Sequence, residues 1–131
     1  RFMKIFPDDL LYSREHIWVA VDGNMATLGI TDYAQEKLGD VDEVDLPKVD
    51  SFVERDEPFG TLESANDVFE LVSPLSGEIV NVNEDIMEDV TILNSDPYDA
   101  GWIVVIEMKD PEELDDLLEI QGYQDYIAEE E

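Results

Sequence analysis

Histidine occurs once in this sequence, at position 16, and cysteine does not occur at all. Transition-metal centres draw on imidazole and thiolate, so the usual zinc and iron–sulfur constellations cannot be assembled from this chain. His16 could act as a base only if folding brought it a hydroxyl nucleophile and a carboxylate. Its position at the start of "HIWVAV" predicts instead a strand-start residue packing on Trp18. The run Asp40-Val41-Asp42-Glu43-Val44-Asp45 has the oxygen ligands for calcium. It lacks the glycine and ligand register of an EF-hand loop, so an exposed acidic strand is expected there. No glycine-rich phosphate loop is present. Carboxylates are so abundant that no pair stands out as an acid–base couple, and a non-catalytic protein is the expectation.

One short stretch invites a different chemistry. Leu62-Glu63-Ser64-Ala65-Asn66-Asp67 lies between two β-rich segments, as the tip of a hairpin would. A residue displayed there is placed to carry or contact something.

The elements that must position these groups follow from periodicity and turn residues. "HIWVAVDGNMATLGIT" (16–31) alternates around Asp22-Gly23-Asn24 and predicts a β-hairpin. Residues 31–40 predict a short helix with a capping box from Asp32 to Gln35, a stripe of Tyr33 or Ala34 with Leu38, and a stop at Gly39. Residues 41–46 should be extended. A turn at Arg55-Asp56-Glu57 leads to a strand opened by Pro58, where a missing N–H matters least. "VFELV" (68–72) and the alternating stretch 76–84 predict two more strands. Residues 94–101 read as a loop, and "WIVVIEMK" (102–109) as a central strand. Asp110 as N-cap, Pro111 at N1 and Glu113 as capping-box partner predict a helix with Leu114, Leu117 and Leu118 on one face. Gly122 should end it, and Tyr123, Tyr126 and Ile127 form a short apolar face before the acidic tail.

The 131 residues suit one domain, taken as 1–131, with Met3 as the natural start and Arg1-Phe2 as a remnant. Apolar residues make up 44 %, enough for a core. Thirty-five acids against seven lysines and arginines give a net charge of −28. Such a field repels nucleic-acid phosphate and anionic lipid, so neither partner is expected, while basic protein surfaces would be steered toward it. No apolar run nears the ~20 residues that span a bilayer, and a cytoplasmic location is expected.

Several segments, in order, resemble the H-protein of the glycine cleavage system. "YSREHIWV" (12–19) is similar to that family's Tyr-Ser/Thr-x-Glu-His-x-Trp opening. "LGITDYAQEKLGD" (28–40) is similar to its Gly-Ile-Thr-x-x-Ala-Gln-x-x-Leu-Gly-Asp segment, and "VDLP" (44–47), "SPLSGEIVNVNE" (73–84) and "LNSDPYDAGW" (93–102) follow in family order. Gly29, Gly39, Gly77 and Gly101 are all present.

The resemblance implies a mainly β, lipoyl-domain-like barrel-sandwich hybrid with a short early helix and C-terminal helices. In that family a hairpin displays one lysine within Glu-Ser-x-Lys, and lipoate is joined to it as an amide. The arm serves glycine decarboxylase, aminomethyltransferase and dihydrolipoamide dehydrogenase, and lipoate-handling enzymes load it; the protein itself catalyses nothing. Glu63 and Ser64 match the motif, and Asn66 stands at the lysine position. The carboxamide nitrogen of asparagine shares its lone pair with the carbonyl and does not attack an activated acyl group as an amine does. No other lysine substitutes, since positions 49–108 contain none and Lys4, Lys37 and Lys48 match no hairpin tip. No cofactor is therefore expected on this chain. Asparagine also makes a good turn residue through its tolerance of left-handed backbone. Phe69 departs from the small residues expected after the tip, Glu70 keeps the family's carboxylate, and Asp42 and Glu43 replace apolar or aromatic residues. The expectation is an H-protein-like binding module without a lipoyl arm; the alternative is a true aminomethyl carrier whose lysine has been replaced.

Overall fold

Alternation and turn chemistry produce the β2–β3 hairpin, Ile17–Asp22 against Met25–Ile30, in the expected register with Asp22 opposite Met25. Gly23 takes φ +62°, which a two-residue hairpin loop needs and which glycine adopts without steric cost. Asn24 then hooks the loop to the next strand by donating from Nδ2 to Met108 O at 3.2 Å. The computed structural model describes residue 7 and residues 9–130; Met3 and Arg1-Phe2, read from the sequence as start and remnant, lie outside the described residues.

Two antiparallel sheets form the body. The larger has the order β1-β2-β3-β9-β8-β5, built from β1 (Leu11–Tyr12), β5 (Phe52–Val53), β8 (Gly77–Val82) and β9 (Val104–Met108) with the hairpin. The smaller has the order β4-β6-β7, from Val41–Asp45, Pro58–Ser64 and Val68–Val72. Strand β9 lies between β3 and β8, the central place its apolar run predicts. The inward residues of both sheets, among them Leu28, Leu62, Leu71, Ile79, Val104 and Ile106, form one continuous core. This is the mainly β barrel-sandwich expected from the resemblance, with α1 (Asp32–Leu38), two one-turn helices, α2 (Asp85–Glu88) and α3 (Ile92–Ser95), and α4 (Ile120–Glu130) around it.

Several local readings need correction. The N-cap of α1 is Thr31, whose hydroxyl accepts from Ala34 N at 3.2 Å; Asp32 is already in the first turn and accepts from Gln35 Nε2. Glu113 does not close a capping box on Asp110. Its carboxylate crosses to Ser76 instead, accepting from the backbone N–H at 2.8 Å and the hydroxyl at 3.0 Å. Gly122 does not end a helix: residues Pro111–Asp116 form a 3₁₀ turn, Leu118 pairs with Tyr12 of the edge strand β1, and α4 runs through Gly122. The sheet edge offered Leu118 two backbone hydrogen bonds of 2.8 Å, which hold the chain extended before α4 begins. The part of the 94–101 loop up to Ser95 is likewise the end of α3.

A second cluster, Tyr12, Trp18, Tyr33, Tyr123 and Ile127, fixes α4 to the outside of the sheet. Tyr12 and Tyr123 stack with ring centroids 4.7 Å apart. His16 belongs here and not on Trp18. It takes φ +70° in the β1–β2 turn, lies 4.9 Å from the Tyr33 ring, and sets Nδ1 2.9 Å from Tyr123 Oη. Its Nε2 is 3.4 Å from Glu130. Trp18 instead donates from Nε1 to Pro97 O and covers Gly29, where a Cβ would sit 2.5 Å from the indole. Burial lowers the His16 pKa from the ordinary 6.5, with Glu130 opposing the shift.

Two predictions follow from these contacts. Asn94 accepts from Val41 N and donates to Gln35 Oε1 and Gly39 O, clamping the end of α1 to β4. Asn94→Ala should cost about 3 kcal/mol in urea unfolding, three modest bonds with a buried N–H orphaned. For His16, the unfolded chain binds a proton near pH 6.5 that the folded chain resists, so this residue makes stability fall as pH drops through that value toward the lowered folded pKa. Melting temperatures of the parent and His16→Asn, a residue that also tolerates φ > 0, should therefore differ in pH slope between about pH 7 and 5. The variant should lose less stability on acidification.

Candidate functional site

Strands β6 and β7 form a hairpin in which Glu63 faces Val68 and Leu62 faces Phe69. With period two, Leu62 and Phe69 point inward, while Thr61, Glu63, Val68 and Glu70 share the outer side. Leu62 is fully buried and anchors the hairpin in the main core. Ser64 N donates to Asp67 O at 2.9 Å, and Asp67 Oδ1 accepts from Val68 N at 2.9 Å, so Ala65 and Asn66 are held out at the apex by a self-contained turn.

Asn66 is exposed, and its side chain makes no hydrogen bond within the described residues. Its backbone is not in the left-handed region, where among the described non-glycine residues only His16, Asp50 and Asp56 lie. The tolerance for positive φ that makes asparagine a common turn residue is thus unused at this apex. Of the residues predicted beside it, Ser64 is half-buried, with its hydroxyl 3.4 Å from Asp67 O. Glu63 is exposed, opposite Glu43 on β4 as well as Val68 on β7. Glu70 is exposed two residues along β7, opposite Thr61.

Beneath the apex lies a cleft of about 200 Å³ lined by His16, Ala34, Lys37, Leu38, Asp67 and Phe69. Its far wall is α1, a helix legible in the sequence whose approach to the hairpin is not. Phe69, singled out as a departure after the tip, forms the near wall. Lys37 sits over the Tyr33 ring, 5.5 Å from its centroid, a cation–π arrangement at the mouth of an otherwise acidic protein.

The cleft contains no assembled nucleophile and base. Both nitrogens of His16 are engaged, one with the Tyr123 hydroxyl and one facing Glu130. The Tyr123 hydroxyl is itself 2.7 Å from Thr31 Oγ1, and burial raises its pKa well above the phenol range. No group of three or more potential metal ligands occurs among the described residues. Among them, no helix is long and apolar enough to cross a membrane. What the geometry offers is display of the apex above a small cleft.

Comparison with known proteins agrees with this architecture. The family model described as Glycine cleavage H-protein matches residues 10–130. The chain is 42 % identical over 128 residues to a glycine cleavage system H protein of Carboxydothermus hydrogenoformans, covering 98 % of each. It is 46 % identical over 121 residues to glycine cleavage system H protein 4 of Aquifex aeolicus, covering 92 % of this chain and 71 % of that one. The crystal structure of a glycine cleavage system H protein from Mycobacterium marinum superposes with a TM-score of 0.84 at 32 % identity, covering 95 % and 98 %. H-proteins carry a lipoyl group and are not catalysts. With sequence, family pattern and fold in agreement along nearly its whole length, this chain belongs to the glycine cleavage H-protein family.

Proposed function

We propose that this chain is an H-protein-like module that bears no lipoyl arm and works by binding, with the β6–β7 apex and its cleft as the contact region. Asn66 carries the reading. It stands where the resemblance sets the lipoyl lysine, with Glu63 and Ser64 ahead of it and Glu70 behind. A lysine amine can attack an activated lipoyl carbonyl once deprotonated, forming the amide and expelling the activating group. The Asn66 carboxamide has no free nitrogen lone pair and reaches less far. On this reading the partners are glycine decarboxylase, aminomethyltransferase and dihydrolipoamide dehydrogenase, or enzymes that handle lipoate, met in the cytoplasm.

A second reading is that the natural protein is a working aminomethyl carrier and Asn66 is an engineered or erroneous replacement of its lysine. One observation favours it: the apex side chain is exposed, makes no hydrogen bond among the described residues and sits on backbone outside the left-handed region, so a lysine fits there.

Intact-mass measurement of the protein purified from its native host tests the first reading. The mass of the bare polypeptide is expected, and a lipoyl adduct on this chain overturns it. Incubation with a lipoate ligase, ATP and lipoic acid then separates apex chemistry from surroundings. The parent should stay unmodified, while Asn66→Lys should gain one lipoyl amide. An unmodified Asn66→Lys protein that still folds would count against the second reading.

A further inference from the structure

The six-stranded sheet has an open outer face at its β5 end. The register sets Phe52 opposite Glu78, Glu78 opposite Glu107, and Glu107 opposite Met25, a single row across four strands. Phe52 is 78 % exposed, the most exposed large apolar residue described, and Met25 at the other end of the row is also exposed. Val53 turns inward to the core, so strand alternation forces Phe52 outward. Between them Glu78 and Glu107 border a concavity of about 390 Å³ together with Glu54 and Lys109.

We infer that this face docks a basic, partly apolar segment of a protein partner, with an arginine held between Glu78 and Glu107 and aliphatic groups against Phe52 and Met25. Directly opposed like charges weaken a sheet, and among the described residues neither carboxylate has an ion pair. Lys109 borders the same concavity without coming within ion-pair distance of either. Cross-strand neighbours have Cβ atoms about 5 Å apart, and the planar guanidinium can meet two such carboxylates through separate N–H donors, where an ammonium acts as a hydrated point charge. The row covers three inter-strand steps, about 14 Å, which gives the arginine apolar company on both sides. The charge of −28 steers cationic surfaces toward the whole molecule, while Phe52 marks where one can bury apolar area. The face uses none of the apex residues, so it stands whichever reading of Asn66 is correct.

A short amidated amphipathic Leu/Arg peptide titrated into the ¹⁵N-labelled chain tests this docking. Amide shifts should concentrate in β5, in the first half of β8 and in the last half of β9. Affinity should fall about tenfold in Glu78→Gln/Glu107→Gln and in Phe52→Ser, and a Leu/Lys peptide should bind more weakly than Leu/Arg. An equal loss in the charge-matched Glu112→Gln/Asp115→Asn protein, shifts spread over the whole acidic surface, or equal binding of both peptides would overturn it. So would a dimer in sedimentation that Phe52→Ser dissociates, which would assign the face to a second copy. Thermal melting guards the variants: the double glutamine protein, relieved of repulsion, should melt no lower than the parent.

Discussion

One phenol ties together three parts of the molecule that lie far apart in the chain. The Tyr123 hydroxyl lies within hydrogen-bond distance of Thr31, the N-cap of α1, and of His16 in the β1–β2 turn. Its ring stacks on Tyr12 of the edge strand. Through it the last helix, the first helix and the sheet edge hold one arrangement, and that arrangement brings the Ala34–Leu38 side of α1 up to the hairpin apex. Buried polar atoms are costly unless satisfied, and no buried side-chain polar atom among the described residues lacks a partner. The α1 side of the cleft is therefore held by contacts that lie behind it, in the aromatic cluster.

Against this stands the charge. Thirty-five acidic residues repel one another in any compact state, and the Glu43–Glu63 and Glu78–Glu107 oppositions show the sheet accepting like charges side by side. The described ion pairs do little to offset this: Arg55 meets Asp116 at 2.8 Å on the surface, where solvent screens the pair. Stability must come from the apolar interior and from backbone satisfaction. The glycines serve that interior. A Cβ on Gly77 would lie 2.2 Å from Glu107 O, so only glycine lets β8 and β9 approach as they do.

What the sequence made legible follows the range of the forces involved. Alternation, Gly23 in its turn, Pro58 opening a strand and the apolar run of β9 act over a few residues, and each appears where local chemistry puts it. The errors came where a distant group outbid a local one. Glu113 had a capping box available and went to Ser76; Gly122 looked like a stop until Leu118 found the edge of β1. Local chemistry points His16 at its neighbour Trp18, since nothing nearby in the chain announces an α4 tyrosine more than a hundred residues away. The apex at Asn66 was readable from the ordered family segments, but the cleft below it was not. Lys37 and Leu38 meet Asp67 and Phe69 only through the sandwich.

The fold makes no demand on the side chain at position 66. Turn geometry there is supplied by Ser64 and Asp67, the backbone stays out of the left-handed region, and the carboxamide has no hydrogen bond among the described residues. At a buried or left-handed position, residue identity would report on folding, and a chemical argument from it would be weak. At an apex this unconstrained, identity is free to report on chemistry. Amine and carboxamide then differ in one respect that matters, the availability of a nitrogen lone pair to an activated acyl group. An acyl-bearing arm and a bare apex are consequently alternatives that the same hairpin can display with equal stability, separated by the nitrogen at its tip.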